Sequence, residues 1–501
     1  MTYVEYKQLN PFQRFAFNFK KIMKNLPRNI GRFFKTIGLA IAHFFIGIGK
    51  GFKNYGVTFV KGDWATKLSY VIFGFGDIHK GKYYKGILYF IIEVLYTLFM
   101  VFFGAEQLYW LPTLGTHERV VAYDDFGFET VVDEGQRSML ILLYGTLTVV
   151  VTIVVFAIYI SNIKDAYRHQ QMRERGEKPT SLKVDAREFL DGKYHITLLS
   201  FPILMIAVFN ILPLIFMILI AFTNYHGFEH PTLFDWVGMV NFSNVFDVIN
   251  STQKANTFFS IAGWTLLWAF AATFSNYILG MIVALMINKK GIKFKGVFRT
   301  MFVITIAVPQ FVSLLLMSQM LTQEGAFNIL LGDLFNGGVN PKIDFLGGSA
   351  WGARLTVILV NCWVGIPYTI LSMSGILMNI PEDLYESARI DGATPIKTFT
   401  KITLPYMIFV TTPQLITQFV GNINNFNVIF LLTGGKPANP DLYGAGDTDI
   451  LVTWLYQLSM GEKKDYGLAS AIGILVFIIC ATLSLIIYNN SKSMKDEEAF
   501  S

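Results

Sequence analysis

The chain has very few cysteines: Cys362 and Cys480 are the only two in 501 residues. That excludes a disulfide framework, and both fall in apolar runs where they read as small packed hydrophobes. Charge is also sparse. Asp, Glu, Lys and Arg make up 15% of the residues against 53% hydrophobic ones, and mean hydropathy is +0.46, a balance that excludes a soluble domain of this length. A secretory signal is not expected, because the N-terminal region is basic and interrupted by polar residues up to Ile87, where the first long apolar run begins. Nor is there a nucleotide-binding loop. Gly76, Gly81 and Lys82 have the spacing of a phosphate cradle, but Tyr83 stands where a magnesium-binding Ser or Thr is needed and no strand pattern leads into it. The stretch reads as a turn, no cofactor is expected, and any energy source must lie on another chain.

The apolar runs themselves are plentiful. Eight are long enough to cross roughly 30 Å of hydrocarbon as helices: Ile87–Phe103, Met139–Ile160, Ile196–Phe222, Phe258–Ile287, Val297–Met320, Trp351–Met378, Tyr406–Leu432 and Leu468–Tyr488. The expected fold is therefore all-α, a polytopic membrane protein of about eight spans. Cations gather in residues 1–86, in Lys164–Lys193 and in Asn288–Gly296 with Lys289, Lys290, Lys293 and Lys295, which assigns these segments to the cytosol. Gly104–Ser138, with Asp124, Asp125, Asp133 and Glu134, and the segments Thr223–Thr257 and Leu321–Ala350 belong outside. Both termini are then cytosolic, with Lys492 and Lys495 after the last span. The net charge of +6 lies mainly on the inward segments and suits an anionic membrane surface better than nucleic acid.

The chain divides into a basic interfacial region (1–86), two accessory spans (87–160), a cytosolic linker (161–195), a core (196–488) and a tail (489–501). Within the first region, Thr36–Gly49 is basic, aromatic and short for a span, so it reads as an interfacial anchor, with a ninth span as the alternative. Glu93 sits inside the first apolar run, where a carboxylate is costly unless it faces protein or water, which leaves a proton-relay reading open. Pro202, Pro213 and Pro309 mark kinks beside a cavity or simple packing kinks.

Between the sixth and seventh runs lies a polar helix-turn-helix pattern at 380–405. Pro381 suits a first helical turn, and Glu382 and Asp383 complement the positive helix end. Asp391 and Gly392 form the turn, Thr394-Pro395 restarts a helix, and Pro405 ends it at the membrane. Leu384, Tyr385 and Ala388 line one face of the first helix and Ile396, Phe399 and Ile402 one face of the second, leaving Glu386 and Arg389 to a partner.

This stretch resembles the EAA loop of the permease subunits of binding-protein-dependent ABC importers, which implies a type I importer core. The pattern reads Glu386-Ser387-Ala388, Asp391-Gly392-Ala393, Phe399, Ile402 and Leu404-Pro405, with Ser387 replacing an alanine. In that family the loop seats in a cleft of the ATP-hydrolysing subunit. Asn361-Cys362-Trp363-Val364-Gly365-Ile366-Pro367-Tyr368 and Gln418-Phe419-Val420-Gly421-Asn422-Ile423-Asn424-Asn425-Phe426 are similar to runs of the larger, MalF-type maltose permease subunit, and the likeness covers roughly Ile196 to Tyr488.

The resemblance implies a substrate site of Asn361, Trp363, Gly365, Tyr368, Gln418, Gly421, Asn422 and Asn425. The chemistry fits, since sugars need amides for their hydroxyls and rings for their apolar faces. Asn361, Asn422 and Asn425 supply the first, Trp363, Tyr368 and Phe426 the second. Asn422 and Asn425, three apart, share one helical face, and amides that glue helices together are the alternative. Gln418 and Gly421 depart from the maltose-type pattern and put the pocket's shape in question. The short connector between the third and fourth runs lacks that subunit's large extracytoplasmic domain, implying a Gram-positive source.

The implied partners are a second, MalG-like permease, two ATP-binding cassette subunits, an extracellular sugar-binding lipoprotein, an oligosaccharide and membrane lipids. Maltose or maltodextrin is the expected cargo, with raffinose-like sugars or glycerol phosphate as alternatives. A proton-coupled carrier using Glu93 and a membrane scaffold without transport are readings from other classes.

Overall fold

A computed structural model describes residues 38–490 apart from 40, 41, 44, 45, 48, 52, 119, 124–128, 178–183, 185, 186, 188–190, 193, 248–252 and 290. The anchor expected over Thr36–Gly49 lies partly outside these residues, and the tail with Lys492 and Lys495 lies outside them. The chain forms two compact units, Met1–Gly238 and Met239–Ser501.

Among the described residues, six helices are long and apolar enough to cross a membrane: Tyr83–Trp110, Ser138–Glu174, Leu198–Ile220, Gln253–Asn288, Ala350–Met378 and Tyr466–Ile486. Two bent pairs bring the count to eight when each is taken as one broken span, Lys295–Ala307 with Gln310–Met320 and Pro395–Ile423 with Phe426–Leu432. Each apolar run of the sequence corresponds to one of these. The fifth is not a continuous helix, however, and turns by 85°. Its cause is local: a residue before proline is pushed out of the helical region, and Val308 is extended at φ −75°, ψ 123° ahead of Pro309. One antiparallel hairpin, Val120–Tyr123 with Glu129–Asp133, departs from the helical pattern between the first and second spans.

In the first unit, the Gly76 to Lys82 stretch is not simply the expected turn: Gly76 lies in a short helix, Phe75–His79, the turn follows at Lys80 and Gly81, and the segment is packed against protein. A Cβ on Gly76 would stand 2.6 Å from Ser69 Oγ and 2.9 Å from Ala166 Cβ, so no ligand could enter. Lys80, its side chain 1% exposed, pairs with Asp63 at 3.1 Å and donates to Thr66 Oγ1 at 2.5 Å and to the Ala166 carbonyl at 3.0 Å. Burial pushes the Lys80 ammonium below its usual range, against the pull of Asp63. Burial also acts upward on Asp63, but hydrogen bonds from Thr66 and Lys80 outweigh it and hold that carboxyl low. Glu93 accepts from the Phe73 N–H at 2.9 Å, which gives the membrane-embedded carboxylate a structural task.

In the second unit, the fourth span, Gln253–Asn288, is the central staple. It meets the sixth span so closely that side chains are barred from the seam: a Cβ on Gly280 would lie 2.5 Å from Thr369, and one on Gly365 2.5 Å from Asn276 Nδ2. Small residues let membrane helices approach in this way. Around that seam Trp264, Trp268, Leu314, Val357, Val428 and Ile450 form one buried cluster, and Tyr277, Met281, Ile370, Met373 and Met407 another.

Candidate transport path and coupling loop

Six of the eight predicted substrate residues separate into an inward and an outward set of three, and Trp363 and Asn425 belong to neither. Asn422 is 7% exposed and donates through Nδ2 to Thr273 Oγ1 at 2.9 Å, while its carbonyl accepts from Trp268 Nε1 at 3.1 Å. Asn361, 5% exposed, leaves its Nδ2 without a partner, as Asn276 leaves its Oδ1. Gly365 is the close-approach position opposite Asn276. Asn422 and Gly365 thus make contacts between spans, while the buried Asn361 amide is unpaired.

Tyr368, Gln418 and Gly421 look the other way. Tyr368 is exposed, and one turn on from it Ser372 donates to Gln414 Oε1 of the seventh span at 2.9 Å. Gln414, Gln418 and Gly421 follow at spacings of four and three, so they share a helical face, and beyond Gly421 there is open space. Ser372 and Gln414 escaped the sequence analysis because neither belongs to a resembling run. Their signal was a polar side chain one turn from a predicted residue. Trp363 is exposed but lies about 140° around the helix from Tyr368 at 100° per residue. It continues the apolar stripe Trp351, Leu355 and Leu359, all exposed.

Asn425 requires a correction. The helix stops at Ile423 and the chain bends by 42°, so Asn422 and Asn425 do not share a helical face. Asn425 caps the helix Phe426–Leu432, accepting from Val428 N at 3.4 Å, and its Nδ2 reaches back to Asn422 Oδ1 at 3.2 Å. Capping fixes the entry of the last helical segment.

The 380–405 loop has the predicted two helices, Glu382–Ile390 and one restarting at Pro395. Gly392 takes φ +66°, which suits a residue without Cβ, and Thr394 caps the restart by accepting from Lys397 N at 3.3 Å. Pro381 is the cap residue, not the first helical residue. Pro405 does not end the second helix: a π turn, Phe399–Thr403, precedes it and the helix runs on to Ile423. The wider turn accommodates a ring that would otherwise clash with the carbonyl four residues back. Ala388 is buried and the Tyr385 hydroxyl meets Thr403 Oγ1 at 3.0 Å, as an inner face requires. Ile396 does not join that face and is 77% exposed, beside Ile390 at 87%. Glu386, Ser387, Asp391 and Gly392 are exposed, Ala393, Phe399 and Leu404 half-buried, and Pro405 exposed.

A family model for the "Binding-protein-dependent transport system inner membrane component" matches residues 276–496, from the seam to beyond the last span. The chain is 34% identical over 437 residues to the maltodextrin transport system permease protein MdxF of Bacillus subtilis, covering 85% of this chain and 95% of that one. It belongs to this family of ABC importer permeases. The galactooligosaccharides transport system permease protein GanP of the same organism is also 34% identical, over 85% of this chain and 97% of its own length. The maltose/maltodextrin permease MalF of Salmonella typhimurium is 37% identical over 50% of this chain and 48% of its own. A chain from a bacterial alginate importer aligns at a TM-score of 0.49 and 23% identity, covering 62% of this chain and 98% of that one, too slight a likeness to carry an argument. The permease is thus a multi-pass membrane protein of the carbohydrate importer type.

Proposed function

We propose that this permease is the MalF-type half of an ATP-driven importer that carries maltodextrin. A second, MalG-like permease forms the other half, two ATP-binding cassette subunits supply the energy, and an extracellular sugar-binding lipoprotein delivers the cargo. Both termini lie in the cytosol. The identity to MdxF along nearly that protein's whole length carries this reading. Glu386 and its neighbours take up the motion of the ATPase pair, and the stripe of Tyr368, Ser372, Gln414, Gln418 and Gly421 lines the path. Amides and hydroxyls along one face suit a neutral sugar, and none of those five residues is cationic, which disfavours glycerol phosphate. Asn361 and Asn422 hold the helices that present the stripe, and Trp363 faces lipid or the second permease.

The equal identity to GanP favours a galactooligosaccharide as the second reading. Uptake of labelled maltotriose and of a labelled galactotriose, measured in cells with and without this gene, separates the two. The ATP-driven class is tested in vesicles: uptake must persist with ATP after the proton gradient is collapsed. Within the path, Gln418→Leu is expected to cut maltotriose uptake about tenfold by removing hydrogen bonds to a desolvated hydroxyl, and unchanged uptake would remove the stripe from the reading.

A further inference from the structure

A cavity of about 330 Å³ opens in the first unit between the helical residues 53–61 and the second span, Ser138–Glu174, and the transport path does not use it. Gly51, Tyr55 and Thr58 face it from one side and Phe156, Ile160 and Ile163 from the other, each set at helical spacing, with Asn54 and Lys164 at the rim. Its wall is built: the Tyr55 hydroxyl meets the Tyr159 hydroxyl at 2.8 Å, and the Tyr70 hydroxyl donates to the Tyr55 carbonyl at 2.8 Å. A Cβ on Gly51 would meet nothing within 4 Å, so this edge of the cavity has room for a side chain.

Depth and charge say what occupies it. The apolar run of the second span ends at Ile160, and Lys164 follows about 6 Å further along the axis, which is headgroup level for a span of this length. The apolar walls therefore lie at acyl depth and the cation at phosphate depth. Lys164, Arg168 one turn on, and Lys50 beside Gly51 are exposed and have no ion-pair partner among the described residues. The neighbouring Asp165 is engaged elsewhere, pairing with Lys85 at 2.5 Å and accepting from the Tyr89 hydroxyl at 2.7 Å. The rim thus carries unopposed positive charge over an apolar slot of the size that ligand pockets begin at.

We propose that this cavity binds an anionic phospholipid, one acyl chain against Phe156, Ile160 and Gly51 and the phosphate on Lys164, with Arg168 and Lys50 adding to the preference for negative charge. The inference is independent of which sugar is carried. The full-length chain in nanodiscs of equal parts phosphatidylglycerol and phosphatidylcholine tests it by native mass spectrometry of the lipid that stays bound. One phosphatidylglycerol per chain is expected to be retained in preference to phosphatidylcholine. Lys164→Gln should reduce that preference about fivefold, the contribution of one cation near a surface, and Lys164→Arg should keep it. Gly51→Phe should abolish retention of either lipid by filling the slot. Both positions are exposed, so neither change disturbs the core. Equal preference in the Gln and Arg variants, or undiminished retention in Gly51→Phe, would overturn the proposal.

Discussion

The loops at the two ends of the seventh span differ in what they leave uncovered. The later one in sequence, 433–465, is densely hydrogen-bonded, although one Asp449 carboxyl oxygen is buried without a partner and Met460 is exposed. Thr448 Oγ1 donates to the Lys436 carbonyl at 2.6 Å, the Gly446 N–H to Asp449 Oδ2 at 2.8 Å, Trp264 Nε1 to the Thr448 carbonyl at 3.1 Å, and Trp454 is wholly buried. Backbone packs so tightly there that a Cβ on Gly446 would fall on the Gly435 and Pro437 carbonyls. The 380–405 loop is also hydrogen-bonded internally, yet it turns Ile390 and Ile396 outward. The 380–405 loop exposes two isoleucines almost fully, where the later loop exposes Met460 and buries Trp454 and Leu458, and paired exposed apolar side chains on a folded segment are a mark of interfaces.

That contrast can be broken by substitution. The largest effect is expected from Ile390→Asp combined with Ile396→Asp. If these side chains fill a pocket of the ATPase, uptake should drop at least about thirtyfold, the scale of an interface hot spot, while the thermal unfolding midpoint of the isolated permease stays put. Gly446→Val should do the reverse. Overpacking of this kind costs about 1–3 kcal/mol, so the midpoint falls before any coupling defect is seen, and an unchanged midpoint would mean the 433–465 loop is looser than its contacts imply. Tyr385→Phe sharpens the comparison within the 380–405 loop: loss of the hydroxyl pair with Thr403 should cost about 1 kcal/mol, readable as faster amide exchange in Glu382–Ile390.

The smallest effect concerns pH. Burial pushes the Asp449 carboxyl above its ordinary value of 3.8, against the opposing hydrogen bonds from Gly446 and Thr453. The folded loop then binds this proton more tightly than the unfolded chain. Its contribution to stability is fully present below 3.8 and is lost as pH rises through the folded value. Asp449→Asn should flatten that part of the stability profile, and an unaltered slope would place the titration elsewhere.

Much of this was legible beforehand, for physical reasons. Hydropathy marks each of the eight runs because hydrocarbon demands an unbroken apolar length. The Asp391-Gly392 turn is written in residues with few other conformational uses. Breaks and faces were harder to read. Pro202, Pro367 and Pro413 sit inside helices while Pro309 divides one, and what distinguishes them is the extended Val308, which composition does not reveal. The 42° bend after Ile423 moved Asn425 off the expected face, and the burial of Asn361 and Asn422 was not legible because an amide suits a hydroxyl and a neighbouring helix equally well. Ile396 was assigned inward on periodicity alone, although a four-residue helix, Pro395–Thr398, is too brief for periodicity to fix its orientation.

One consequence concerns the helix that begins at Pro395 and does not stop at Pro405. Running to Ile423, it is a connecting rod about 43 Å long at 1.5 Å per residue, with Ile396 at one tip and Gln418 and Gly421 near the other. The end that carries Ile396 and the face that carries Gln418 and Gly421 therefore belong to a single element, with no relay of loosely packed side chains between them. The joint in that linkage is the bend at Asn424, where Asn425 holds the two segments at their angle.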